Sequence, residues 1–394
     1  MASELAYAMI TPYSLLKSRT GGIIGRLLSQ ANLEFVGARM YAPGEDFVDQ
    51  FSRSKDLESL SPNAKERLRQ YIHENLRAAN PFGISNRVIV LLFEGEDAVR
   101  VLGEEVIGEL SAQPKGDTVR GTFGDYVVYG DGELKYFEPS VLCATTREAA
   151  LAQLKILADF ADTDGGIVED AVRFRPDEKP ETTLVLLKPD LFLRRSSRAG
   201  NIIDMFSKTG LYIVGADLVH ISVAEAERFY GPLRQLFVER LKPALVGRLR
   251  ALIADKLDFA VPDETFEQVG DLLKEHNAER EFNRIVEYMT GIDRSRLESG
   301  AETECPGEAM CLALLYKGVD AVSKIRERLG STDPRSALPG TVRSDYGLDL
   351  MKNGAHASDS LENAERERKI LGLWENPGRS DFKERLVSYL AGAR

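Results

Sequence analysis

Apolar positions in the C-terminal half follow two rhythms. Nearly continuous runs at TTLVLL (182–187), LYIVGADLVHI (211–221) and AMCLALLY (309–316) predict short buried strands. Between the first two, Ile202, Ile203 and Phe206 recur at helical spacing, and Gly210 supplies a helix stop. The alternation predicts β-α-β, then helical matter, then a further β-α-β-like stretch, which suits a small sheet with helices on one face.

The same patterns occur twice. GGIIGRLLSQANLEFVGARM (21–40) resembles AGNIIDMFSKTGLYIVGADL (199–218), LLFEGEDAV (91–99) resembles LLYKGVDAV (314–322), and GDTVRGTFG (116–124) resembles PGTVRSDYG (339–347). Identical order in both halves predicts a tandem duplication joined near FRPDEKPE (174–181), with domains at 1–177 and 178–394. Matched positions lie 178 apart before residue 218 and 223 apart after residue 314, so the second copy carries about 45 extra residues. These fall near 238–281, where Phe237, Leu241, Leu245, Leu249 and Leu252 keep helical spacing ahead of FEQVGDLLKEH. An inserted helical hairpin is predicted, its stripe packing on its own domain.

Composition narrows the function classes. The 394 residues are 43% apolar and 29% charged with a net charge of −11, which fits a globular protein of two domains and argues against a nucleic-acid binder. No apolar run approaches a membrane span, and MASELAYAMITPY lacks the basic and apolar regions of a signal peptide. A cytoplasmic protein with no membrane partner is expected. Cys143, Cys305 and Cys311 lack metal or disulfide spacing, so reduced thiols and no zinc site are expected.

One of the four histidines, His356, stands among small residues in KNGAHASDSLENAERE (352–367). Asp359 is expected to cap the following helix with Glu362 three residues on, placing His356 just before a helix N-terminus, where an anion is favoured. An imidazole beside an anion site acts as a nucleophile towards phosphorus when other groups neutralise the phosphate charge. The plain alternative is a surface histidine near a cap. Lys188 ends a strand in LLKPD, and Arg326, Thr332 and Arg343 add two guanidinium groups and a hydroxyl. They suit phosphate oxygens, although a solvated surface charge is the default for any single one.

Together TLVLLKPD, RERLGSTDPRSALPGTVRSDYG and NGAHASDSLENAERE resemble the nucleoside diphosphate kinase family, whose hallmark is a histidine in N-x-x-H-G-S-D-S. The resemblance covers nearly all of 180–394 except the insertion, with a weaker echo over roughly 5–160. It implies an α+β fold of two tandem ferredoxin-like (βαββαβ) domains. It also implies transfer of the terminal phosphate between nucleoside tri- and diphosphates in a ping-pong cycle, with His356 the phosphorylated nucleophile. By the same resemblance Glu367 orients the imidazole and Ser358 supports it. Lys188, Tyr230, Arg326, Thr332 and Arg343 match phosphate and transfer-site groups, and Asn353 matches the contact to the sugar hydroxyl and the lysine. Phe282 matches the aromatic that stacks on the base, with Phe237 a competing candidate. Mg²⁺ bound through the nucleotide phosphates is implied, so no protein metal ligand is named, and a homo-oligomer is implied.

The first copy departs from this pattern. Thr11 replaces the lysine, no histidine follows TVRGTFG, and only Arg120 survives, as the match to Arg343. A catalytically dead N-terminal domain is expected. In the second copy Leu191 and Ala357 stand where the family commonly has Gly, and Lys352 where it often has Arg, while the insertion falls in the nucleotide-binding lip. The alternatives are a nucleotide-binding regulatory or assembly protein with little turnover, or phosphate transfer to another protein's side chain. The halves' pseudo-symmetry would let one chain imitate a two-subunit contact.

Overall fold

The computed structural model describes residues 3–54, 62–81, 83–110, 115–128, 134–254, 256–297, 300–379 and 381–393. The first copy contributes strands β1 (Glu4–Ile10), β2 (Glu34–Tyr41), β3 (Val88–Gly95) and β4 (Val141–Leu142). The second contributes β5 (Pro180–Leu187), β6 (Tyr212–His220), β7 (Met310–Val319) and β8 (Ala355–Ala357). The predicted strands at 182–187, 211–221 and 309–316 thus form, and each copy has the βαββαβ order. All eight join one sheet, ordered β8-β5-β7-β6-β2-β3-β1-β4. Each half has the ferredoxin-like strand arrangement, and the halves meet through their second strands.

That junction has pseudo-twofold symmetry. Arg39 on β2 is opposite Asp217 on β6, its own counterpart in the repeat, and their buried side chains form an ion pair at 3.1 Å. Arg39 also donates to the carbonyls of Pro377 and Arg379. Helices α1 (Thr20–Gln30) and α3 (Arg198–Ser207) pack at the same junction. Only glycine permits their approach: a Cβ on Gly200 would stand 2.2 Å from the Gly21 carbonyl and 2.3 Å from the Gly25 nitrogen. One chain therefore makes internally the two-copy contact that the duplication predicts.

Local structure repeats with one instructive difference. Asp97 and Asp320 both adopt left-handed φ, 53° and 57°, at the matched turns after β3 and β7. From there the second copy runs through helix α7 (Ala321–Leu329) to Gly330, whereas the first needs one residue more to reach Gly108. It absorbs the extra residue in a π-helical stretch, Val101–Ile107. Helices α2 (Arg147–Asp159) and α8 (Leu361–Ile370), which follow β4 and β8, are also counterparts, capped by Thr146 and Ser360 respectively.

The chain divides into two compact units, Met1–Val219 with Cys311–Arg394, and His220–Met310. The second holds helices α4 (Val223–Arg240), α5 (Lys242–Ala254) and α6 (Asp263–Thr290). Ser222 and Glu225 start α4 with a complete capping box. Helices α5 and α6 pack closely, a Cβ on Gly270 falling 2.5 Å from Val246 Cγ2, and Lys242 bridges Glu267 and Asp271. Of the expected stripe, Phe237, Leu241, Leu245 and Leu249 are half-buried, and it runs past a bend at Leu241 between α4 and α5. Leu252 is 69% exposed, and within α5 it is Val246 that is buried. No helix among the described residues is long and apolar enough to cross a membrane.

Candidate active site

Strand β8 pairs antiparallel with β5, His356 opposite Leu186. Alternation along the strand explains the small neighbours: Ala355 and Ala357 are buried, which turns the His356 ring to the opposite face with its side chain 21% exposed. Gly354 enters the strand at a left-handed φ of 82°, a conformation that glycine accommodates.

Nε2 of His356 lies 2.9 Å from Glu367 Oε2, and Ser358 Oγ donates to the same oxygen at 2.7 Å. Glu367 and Ser358 are buried, so the histidine meets a desolvated, pre-oriented carboxylate. A carboxylate accepts only, so this contact favours the tautomer protonated at Nε2, with the lone pair on Nδ1. Arg366, which the sequence reading passed over, places Nη2 3.6 Å from the other oxygen of Glu367. Its adjacency to Glu367 was the available signal. The expected cap is corrected: Ser360, not Asp359, receives the helix N–H, from Asn363 at 3.1 Å. Asp359 instead accepts from the Asn363 side chain, and the helix begins one residue later than expected.

A second cluster organises the cations. Lys188 follows β5, where Pro189 ends the strand; its Nζ donates to Asn353 Oδ1 at 2.7 Å and to the Met351 carbonyl at 2.9 Å. The buried Asn353 amide donates onward to the carbonyls of Thr332 and Leu350. Arg343 reaches the Gly330 carbonyl, the Thr332 hydroxyl and the Ala355 carbonyl, joining the 330–332 turn to β8. Burial, helped by the neighbouring Arg343 charge, pushes the Lys188 ammonium down to about 8. Its interaction with Asp190 is weaker, and Asp190 spends one oxygen on Arg198 at 3.2 Å. Arg326 stands exposed on the last turn of α7, a helix that packs on β8. Lys188, Thr332, Arg343 and Asn353 are thus directly linked, and His356 on β8, Ser358 just after it and Glu367 on α8 form a second linked group. This arrangement is suited to holding a polyanion beside a nucleophilic nitrogen.

Tyr230 and Phe282 belong to the helical unit. Tyr230 is buried on α4 with its ring 4.9 Å from that of Phe229. Phe282 requires a correction. Its side chain is 1% exposed, and the Arg234 guanidinium lies 4.5 Å over its ring, so in this conformation it packs α6 and offers no open face to a base. A 28-residue helix needs an apolar side for its neighbours, and Phe282 lies on that side. The competing Phe237 is half-buried on α4.

The first copy shows what replaced the site. Leu142 pairs with Met9 as His356 pairs with Leu186. The same register sets Ala144 against Ser358 and Gln153, on α2, against Glu367. Counted from the matched glycines Gly108 and Gly330, Glu104 stands against Arg326 and Leu110 against Thr332. Arg120 keeps the posture of Arg343, donating to the carbonyls of Gly108 and Val141 as Arg343 does to Gly330 and Ala355. Its retention without a histidine marks a structural duty for this arginine: tying the glycine turn to the last strand.

A family model described as nucleoside diphosphate kinase matches residues 181–247 and 261–372, leaving 248–260 unmatched within the stretch expected as an insertion. A nucleoside diphosphate kinase from Pyrobaculum aerophilum is 34% identical over 197 residues, covering 48% of this chain and 92% of its own length. One from Sulfurisphaera tokodaii is 30% identical over 190 residues, covering 48% and 87%. Among solved structures, an NDP kinase from Pyrobaculum aerophilum aligns at 29% identity over 49% of this chain and 95% of its own, with a TM-score of 0.33.

Proposed function

Because the chain belongs to the nucleoside diphosphate kinase family, we propose that residues 178–394 transfer the γ-phosphate of a nucleoside triphosphate to a nucleoside diphosphate through His356. The observation that carries this reading is the Glu367 contact to Nε2, which favours a lone pair on Nδ1 in a strand flanked by Lys188 and Arg343. Nδ1 attacks the γ-phosphorus, an N–P bond forms, and the bond to the β-phosphate oxygen breaks as the diphosphate leaves. In the second step a β-phosphate oxygen of another diphosphate attacks the same phosphorus and the N–P bond breaks, restoring neutral imidazole. Phosphoryl transfer asks the protein chiefly for positioning and charge neutralisation. Lys188, Arg326 and Arg343 supply cations, Thr332 a hydroxyl, and Asn353 holds Lys188 and reaches the sugar hydroxyl. Glu367, steadied by Ser358, balances the positive charge that grows on the ring. Mg²⁺ enters as part of the substrate, on the nucleotide phosphates.

Residues 1–177 are a non-catalytic domain in this reading, since Leu142, Gln153, Thr11 and Glu104 offer neither nucleophile nor phosphate cation at the matched positions. Incubation with Mg·ATP should add one acid-labile phosphate to the intact protein. A diphosphate of another base should then remove it as the corresponding triphosphate, and His356→Ala should take up none. Undiminished label in His356→Ala would sink the mechanism. The covered ring of Phe282 favours a second reading, a nucleotide-binding regulatory or assembly protein with little turnover; it predicts nucleotide binding without label.

A further inference from the structure

The pseudo-twofold junction presents one corner of the fold twice, and the two corners differ. On one side Phe35, Phe93 and Phe192 fill the corner, with ring centroids 5.5 Å and 6.1 Å apart. Their repeat counterparts on the other side are Ile213, Tyr316 and Leu15. There a cavity of about 220 Å³ remains. Tyr316 and Thr20 line it, 1% and 3% exposed, and neither hydroxyl has a hydrogen-bond partner among the described residues. Arg87 lines it too, with Nε donating to the Ile213 carbonyl at 2.6 Å, and the repeat has Met310 at the matching position. No carboxylate is among the lining residues, while Leu15, Ile203 and Leu211 give it apolar walls. Burial pushes the Arg87 guanidinium down to about 10, the behaviour of a cation lacking a full counter-charge.

We propose that this cavity binds a small organic carboxylate, with Arg87, Tyr316 and Thr20 donating to the head group and Leu15, Ile203 and Leu211 covering a short apolar body. A guanidinium fork matches the two oxygens of a carboxylate, and buried hydroxyls without partners are costly unless a ligand or water satisfies them. The volume equals that of roughly seven water molecules, enough for an acid of about four to six carbons. Inorganic phosphate would satisfy the donors but leave the walls uncovered. Because both halves line the cavity, the bound acid bridges the junction and stabilises it by mass action. The site involves none of the groups assigned to phosphate transfer.

Calorimetric titration and thermal melts of the full chain with acetate, butanoate, hexanoate, inorganic phosphate and butylamine test this. Affinity should rise from acetate to butanoate by about fourfold per added methylene, raise the melting temperature in step, be weaker for phosphate than for butanoate, and be absent for butylamine. Arg87→Gln should weaken butanoate at least roughly tenfold, as expected for loss of a charged hydrogen-bond partner. Ile213→Phe, which copies the filled corner, should abolish binding without lowering the ligand-free melting temperature. Lack of binding by any acid at millimolar concentration would overturn the assignment. So would phosphate binding as tightly as butanoate, or butanoate affinity surviving in Ile213→Phe or Arg87→Gln.

Discussion

Replacing Glu367 with Gln isolates the contribution of the carboxylate charge. Its Oε2 meets His356 Nε2 at 2.9 Å and Ser358 Oγ at 2.7 Å in a residue only 4% exposed, so solvent cannot stand in for either contact. A charge-assisted hydrogen bond contributes about 1.5–3 kcal/mol against about 0.5–1.5 kcal/mol for a neutral one. The difference matters most for the bond to the ring, which strengthens as positive charge grows there during N–P bond formation. The expected loss is about 1–1.5 kcal/mol of transition-state stabilisation, or roughly 5- to 13-fold in the rate of phosphorylation. Ser358 can still donate to the amide oxygen, so folding stability should change by less than about 1 kcal/mol. Single-turnover rapid quench with labelled ATP, scoring acid-labile protein phosphate and using His356→Ala as the zero reference, measures the effect. A rate within about twofold of wild type would mean that the carboxylate does not steer the imidazole.

Further outcomes are expected. The free enzyme's kcat/KM should fall as pH rises through about 8, because Lys188, held down to about 8 by burial, then loses its charge. The stability sign is opposite. Below about 8 the buried ammonium costs stability, and that cost is relieved as pH rises towards its ordinary 10.5, which urea titrations across the interval would detect. Asp217→Ala strands the buried Arg39 guanidinium and should lower unfolding stability by about 3–5 kcal/mol, a loss seen in the denaturation midpoint. Gly200→Ala must push α1 from α3, at a cost of about 1–3 kcal/mol in the same measurement. Leu142→His, made in a His356→Ala background, should take up no acid-labile phosphate, since Thr11, Gln153 and Glu104 still occupy the supporting positions; label at the new histidine would show that the first copy had lost only its nucleophile.

The repeat implied only that one chain could imitate a two-subunit contact; the structure adds that the copies meet through β2 and β6 and how that junction is sealed. Arg39 and Asp217, matched positions in the repeat, sit opposite each other because a twofold relation brings equivalent residues together near its axis. The first copy thus has a physical role in the fold. Its β2 covers the edge that β6 would otherwise expose.

Strand runs, the repeat, Lys188 at a strand end and the order of the motif residues were legible in sequence, since each rests on local spacing or on neighbours along the chain. The cap of α8 was misplaced by one residue because Asp359 and Ser360 are both competent caps, and only backbone geometry selects between them. The stripe from Phe237 to Leu252 holds in part, four of its residues half-buried and Leu252 exposed, because spacing alone does not say how deeply each turn is covered. Composition likewise could not tell an open aromatic ring from one covered by Arg234, nor show that Arg120 and Arg343 share a structural posture. Pairings between residues far apart in the chain were decided by tertiary packing: Glu367 on His356, Asn353 on Lys188, and the hollow corner beside Arg87. Burial and long-range contact set which polar atoms lose water, and a linear pattern fixes neither.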